Sequence, residues 1–391
     1  MRAAVLRTPG QPLSVEDVDL EAPRPGEVEI RILATGVCHS DLHYMHGDLQ
    51  GRMPMVIGHE GTGVVERVGD GVTRFAPGDR VITMWRPRCG NCEFCATGRP
   101  ALCTSGRLMA PTGGLIDGTT RLSIDGEPVH HLMGVSCAAE RAVVSQTSLI
   151  GVDAEIPTEI AAITGCAVVT GVGAALNEMS EASGQGAVVI GAGGVGLSVV
   201  MGLSLIGVDP IVAVDTVDAK LDKAFELGAT RTINAASQDL ADELLRISPR
   251  PFSWAVDAVG LPQTLRQAFD LVGTGGTVVA LGLGRVGAEV DLPVNQIVQQ
   301  QKRVVGSLYG SANTPVDIPR ILSLYRSGRL PLERLLGARF GLDEVNDAYA
   351  SLAGSEPGRA IMVPQPAAQE RVSGAPRSSD IVSAPLRASV T

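Results

Sequence analysis

Positive charge is the first thing this sequence is short of. Its 32 lysines and arginines stand against 42 acidic residues, a formal net charge of −10. A surface of that sign repels phosphate backbones, so nucleic acid is excluded as a partner class. Long apolar runs are also missing. The stretch VVIGAGGVGLSVVMGLSLIG is interrupted by glycines, whereas a membrane helix needs about twenty predominantly apolar residues. No membrane span is therefore expected. The opening MRAAVLRTPGQPL lacks the apolar core of a secretory signal and reads as a first strand, which makes a cytoplasmic location the expectation. No internal repeat is visible.

With 45 % apolar and 19 % charged residues, the composition is that of a globular protein. At 391 residues the chain is too long for one ordinary core, and two domains are expected. Residues 1–167 hold short β-type runs such as EVEIRILATGV, GTGVVERVG and GDRVITM, separated by Gly and Pro turn signals. Residues 168–303 change character. Apolar strands (AVVIGA, IVAVD, SWAVDAVG, TVVALGLG) alternate with helical stretches, a pattern that predicts a doubly wound parallel sheet. Residues 304–363 return to mixed elements, with a helix near Ile318 and a last strand RAIMVP, and read as completing the first domain. Residues 364–391, rich in Ala, Ser, Pro and Arg, read as a disordered tail. The fold class is α/β, a β-rich domain followed by a doubly wound one.

The seven cysteines are too clustered for a disulfide framework. Cys89, Cys92, Cys95 and Cys103 supply four thiolates within fifteen residues, and Gly90 and Gly98 permit the turns that would let them converge. Four sulfur ligands leave no open position, so this lobe (89–103) predicts a closed, structural zinc; the spacing does not suit an iron–sulfur cluster. Cys38 and His59 are two ligands of a different kind of site. A zinc that does chemistry keeps three protein ligands and an open fourth position. Cys166, in the small-residue stretch TGCAVVTGVGAA just before a nucleotide-binding pattern, is the better third ligand, and Cys137 is the spare thiol.

Gly191-x-Gly193-Gly194-Val195-Gly196 follows the strand AVVI and opens a helix. Glycines there allow a tight turn and let backbone N–H groups approach a pyrophosphate. Asp215 stands nineteen residues after Gly196 at the end of IVAVD. Its carboxylate suits ribose hydroxyls and repels a 2′-phosphate, which favours NAD over NADP. Lys220 is placed to reach the ribose from the next turn.

With GHExxG as Gly58, His59, Glu60 and Gly63, the four-cysteine lobe, Cys166 and GAGGVG in that order, residues 1–363 resemble the zinc-dependent medium-chain alcohol dehydrogenases. The resemblance implies a GroES-like β-rich catalytic domain plus a Rossmann domain, two zinc ions per chain, and a Cys2His catalytic site, the set known for that family. It implies that zinc makes a bound alcohol an alkoxide that gives up hydride to NAD, with Ser40 and His43 relaying the proton. Asp41 would steady the His59 ring, while Glu60 would lie behind the metal and exchange onto it. His39 and Arg359 would meet the pyrophosphate, and Thr170 the nicotinamide. The pocket wall would be Leu49, Trp85, Leu108, Leu132 and Met133, all apolar, which suits a primary alcohol or aldehyde with an aromatic or hydrophobic body.

Three alternatives accompany that reading. The long segment from Cys103 to Cys166 resembles the animal-type, formaldehyde-oxidising branch of the family, in which an arginine at the position of Arg107 binds a thiol adduct; Leu49 and His43 depart from that branch. A biosynthetic C=C or carbonyl reductase, and a catalytically silent NAD-binding protein, share the fold. The same long segment resembles dimeric relatives, so a homodimer joined near Ser307 is expected.

Overall fold

The structure, a computed structural model, describes residues 1–354 and 356–365. The expected tail, apart from its first two residues, lies outside the described residues.

The first strand is Arg2–Leu6, and it joins a six-stranded sheet with Ser14–Asp17, Met55–Val56, Glu127–His131, Leu122–Ile124 and Asp19–Leu20. A seven-stranded sheet is built around Glu27–Gly36, whose neighbours are Gly61–Val68, Arg141–Ser145 and Arg359–Val363. Strands from both ends of the chain thus meet in one sheet. Its inward side chains, among them Val28, Ile30, Ile32, Val65 and Met362, form one packed core.

The second domain is a six-stranded parallel sheet. In spatial order its strands are Arg231–Asn234, Ile211–Asp215, Ala187–Ile190, Phe252–Asp257, Val272–Ala280 and Arg303–Gly306. This is the doubly wound order, whose topological switch lies beside the central strand Ala187–Ile190. That strand is buried along its whole length because helices cover both faces, which explains its unbroken apolar sequence. Because Arg303–Gly306 pairs with Thr277–Ala280, the parallel sheet runs three residues past the boundary read at 303. The helix Thr314–Arg326 follows, and the chain rejoins the catalytic sheet only at Leu336–Gly341 and Arg359–Val363.

The two domains are joined by a continuous helical segment, Thr158–Asn177, which is long and apolar enough by length and composition to cross a membrane. The sequence reading missed this run. It is almost wholly buried, packing against both domains, which accounts for its composition without a bilayer. Its middle, Thr164–Val168, winds as a π-helix, a local widening that often marks functional positions. Across the cleft, Val286 N–H donates to the Asp48 carbonyl at 3.3 Å.

Candidate metal and cofactor sites

Three elements converge on one point. Cys38 ends the long strand region in extended conformation and precedes the helix His39–His46. His59 follows Gly58, whose φ of +87° and close approach to the Ala138 backbone (2.5 Å to a would-be Cβ) admit only glycine. Cys166 sits in the π turn. Their three donor atoms lie within 4.8 Å of one another and all are buried. Cys166 Sγ is 3.5 Å from His59 Nε2, while Nδ1 of the same ring is 2.7 Å from Asp41 Oδ1. The Cys38 thiol is held well below its ordinary pKa, first by its hydrogen bond with Cys166 and then by the nearby positive charge of Arg359. Two thiols and an imidazole whose other nitrogen is already engaged are the donors zinc prefers, and three of them leave one position open.

Glu60 does not join them. Its Oε1 accepts from Ala167 N–H at 2.7 Å and its Oε2 from Arg359 Nε at 2.8 Å, so the carboxylate is turned away from the donor cluster. It stands outside the three-donor group, behind it as expected, with an oppositely charged partner close enough to hold it there. Burial pushes the Glu60 carboxyl up to about 7, against the opposing pull of Arg359. Gly36 makes room, because a Cβ there would stand 2.1 Å from Glu60 Oε2. Arg359 is itself buried, and its guanidinium lies 3.1 Å from where a Cβ on Gly194 would be. One side chain therefore spans from the metal cluster to the glycine turn.

Ser40 and His43 share the helix His39–His46 and are half-buried, with His43 Nδ1 3.1 Å from Asp48 Oδ2. Trp85 stands edge-on to His59, ring centres 6.3 Å apart, and packs on Tyr309 at 4.6 Å. Tyr309, which sequence reasoning missed, donates its hydroxyl to the Gly165 carbonyl beside Cys166. Leu132 and Met133 are buried, and Leu49 is half-buried, in the catalytic-domain core. Leu108 differs from expectation. It is 57 % exposed on the helix Thr104–Thr112, facing solvent instead of an enclosed pocket, and Arg107 beside it is exposed too.

The four-cysteine lobe is a separate centre. The sulfurs of Cys89, Cys92, Cys95 and Cys103 lie within 4.8 Å of one another. Backbone N–H groups of Cys89 and Cys92 donate to Cys103 Sγ (3.2 Å) and Cys89 Sγ (3.3 Å), an arrangement that favours thiolates. Cys137 is buried against Thr83, its thiol pushed up to about 12 by burial, and so is unreactive.

The glycine turn is shaped for a dinucleotide. Gly191 has φ +95°, and a Cβ on Gly196 would collide with the Gly191 carbonyl at 1.7 Å. Gly193 faces open space at the N-terminus of the helix Gly194–Leu205, which begins with Gly194, Val195 and Gly196. His39, Gly193, Gly194, Lys220 and Arg359 line one cleft together with Glu356, and the backbone N–H groups at this helix start suit an anionic group. Asp215 braces the turn: its Oδ2 accepts from Ala192 N–H at 2.7 Å and its Oδ1 from Thr216 N–H at 2.8 Å. Thr170 is buried in the helix Val169–Asn177, against the strained turn at Gly310.

This arrangement is that of a zinc-dependent dehydrogenase with a Rossmann domain. Residues 24–154 match the alcohol dehydrogenase GroES-like domain, and residues 194–326 match the zinc-binding dehydrogenase domain. The chain belongs to the zinc-dependent medium-chain alcohol dehydrogenase family. It is 40 % identical over 354 residues to an NDMA-dependent alcohol dehydrogenase of Amycolatopsis methanolica, covering 90 % of this chain and 95 % of that one. It is 34 % identical over 372 residues to an S-(hydroxymethyl)glutathione dehydrogenase of Paracoccus denitrificans (93 % and 99 % covered). Among solved structures, benzyl alcohol dehydrogenase from Acinetobacter calcoaceticus superposes with a TM-score of 0.87 at 29 % identity, covering 93 % of this chain and 98 % of that one.

Proposed function

We propose that this alcohol dehydrogenase interconverts a primary alcohol carrying an aromatic or hydrophobic body with its aldehyde, using NAD, one catalytic and one structural zinc per chain. The observation that carries this reading is the buried Cys38, His59 and Cys166 cluster with the Trp85 and Tyr309 rings packed beside it. Cys38, His59 and Cys166 would hold a zinc that supplies a Lewis acid to an alcohol oxygen, and the glycine turn would hold an NAD that supplies the hydride acceptor. The chain's own residues do the rest. Asp41 keeps the proton of His59 on Nδ1, leaving Nε2 as the donor atom. Trp85 and Tyr309 exclude water from one side of the cluster, which strengthens charge interactions within it. Ser40 would accept the alcohol proton at Oγ while handing its own hydroxyl proton on, by way of the nicotinamide ribose, to His43, which is partly exposed and has its Nδ1 steadied by Asp48. Asp215 receives ribose hydroxyls, while His39, Lys220 and Arg359 balance the pyrophosphate charge.

The test is NAD reduction by zinc-loaded protein with benzyl alcohol, a medium-chain primary alcohol, and formaldehyde with and without cellular thiols, repeated with NDMA because one relative is named for dependence on it. Turnover of the free alcohols supports the reading. Thiol-dependent formaldehyde oxidation alone replaces it with the adduct chemistry for which the Paracoccus relative is named, and Arg107 then becomes the residue to change.

The same reading includes a homodimer. Arg303–Gly306 is the outer strand of the parallel sheet, and Val304, Val294 and Val298 beside it are 40 %, 73 % and 67 % exposed. An unpaired edge flanked by apolar side chains is stabilised by pairing with a second copy. Sedimentation giving a monomer at micromolar concentration contradicts this.

A further inference from the structure

The imidazole of His59 ends a chain of three buried side chains. Asp41 has no solvent exposure, and each of its carboxylate oxygens has a side-chain partner: Oδ1 meets His59 Nδ1 at 2.7 Å, and Oδ2 accepts from the Tyr349 hydroxyl at 2.7 Å. Tyr349 is only 2 % exposed and packs in the catalytic-domain core. A phenol in such a place donates, since burial first and the Asp41 charge second raise its pKa well above the ordinary value. With the hydroxyl in place, the carboxylate is satisfied on that side and free to hold the ring proton on the other. Without it, a buried charged oxygen loses its donor, a costly state that moves the carboxylate or its charge.

We propose that Tyr349 is a positioning residue for the catalytic metal centre, its hydroxyl fixing Asp41 so that His59 presents Nε2 to Cys38 and Cys166. The inference rests on the zinc assignment of the three-donor cluster, not on the substrate. It has a topological consequence. Tyr349 lies on the helix Val345–Ser351 of the returning segment, 308 residues along the chain from Asp41. Arg359 of the same segment holds Glu60 on the other side of the cluster. Docking of the returning segment and retention of the metal are thereby coupled, and the coupling is reciprocal: the metal secures the helix as the helix secures the metal.

The experiment is chelator competition on the full zinc-loaded chain carrying Tyr349→Phe, which removes one oxygen and keeps the ring. The affinity of the three-donor site is expected to fall about tenfold, the low end for partners that orient a ligand from outside. The four-cysteine lobe serves as the internal control and keeps its affinity. In an Asp41→Asn background the same change adds nothing further. Unchanged affinity at the three-donor site overturns the proposal, as does an equal loss at both sites, which marks general destabilisation. If the three-donor cluster binds no zinc in the unaltered chain, the zinc assignment itself fails, a result distinct from either. Should Tyr349→Phe not fold, hydrogen exchange of the unaltered chain decides. Removing the catalytic zinc is expected to speed exchange at residues 345–351 more than in the strand Ala187–Ile190, and no selective change there contradicts the coupling.

Discussion

The two candidate metal sites are built on opposite plans. The lobe draws all four sulfurs from residues 89–103, is half-exposed, and is braced by backbone N–H groups of its own loop. The three-donor cluster draws on residues 38, 59 and 166, is buried, and has Asp41, Glu60, Tyr349 and Arg359 hydrogen-bonded around it. Four sulfur donors would saturate a zinc in the lobe and so suit a folding role, whereas three donors in the cluster would leave a position open for chemistry. A centre that must stay open needs its surroundings to hold the ligands that a fourth donor would otherwise constrain.

Breaking each centre separates the two roles. The largest effect is expected for Cys38→Ser, which removes a catalytic donor: turnover falls roughly a thousandfold, worth several kcal/mol of transition-state stabilisation, while NAD binding measured by fluorescence stays near its original strength. Retained turnover contradicts the three-donor assignment. Next comes Cys92→Ser in the lobe. Here the melting temperature is expected to drop by roughly 5 °C or more, with the three-donor site still able to bind metal. A loss of turnover with no loss of stability would mean that the lobe is not a folding element.

What was readable in advance follows the same division. The lobe was legible because its ligands are adjacent in sequence, and the parallel sheet because buried strands and helices alternate at recognisable periods. Cys38, His59 and Cys166 were marked by residue type and by neighbouring glycines. Their support was not. Glu60 is held behind the three donors by Arg359, 299 residues away, and Tyr349 meets Asp41 across a similar span. No local pattern encodes such pairs, since both depend on the last strand and helix returning to the first domain. The exposure of Leu108 was not readable either: an apolar side chain on a short helix gives no sign of which face will meet solvent. The run Thr158–Asn177 was read only as a small-residue stretch around Cys166 and not as a helix; its glycines and alanines let neighbouring helices approach.

Smaller effects sharpen the comparison between a site and its scaffold. Asp215→Ala removes both the ribose acceptor and the brace on the Ala192 turn, so the KM for NAD is expected to rise about tenfold with a smaller change in kcat; an unchanged KM would leave Asp215 a structural brace. The smallest concerns His131, buried, with Nε2 accepting from Arg121 N–H at 3.3 Å and no partner on Nδ1. Burial first, and the Arg121 charge second, push its pKa down to about 3. Between the unfolded value of about 6.5 and that folded value, only the unfolded chain takes up the proton. Stability from this group is therefore complete above about pH 6.5 and is lost as pH falls towards 3. Denaturant melts of His131→Gln are expected to decline less over that interval than those of the unaltered chain, and parallel declines would contradict this.

The central claim is that one chain carries two zinc centres, one closed and one open. Metal analysis of the purified zinc-loaded protein beside Cys166→Ser tests it most directly. The account predicts two zinc ions per chain, falling to one in the variant as turnover disappears. One zinc in the unaltered chain, or two retained in an active Cys166→Ser variant, would contradict it.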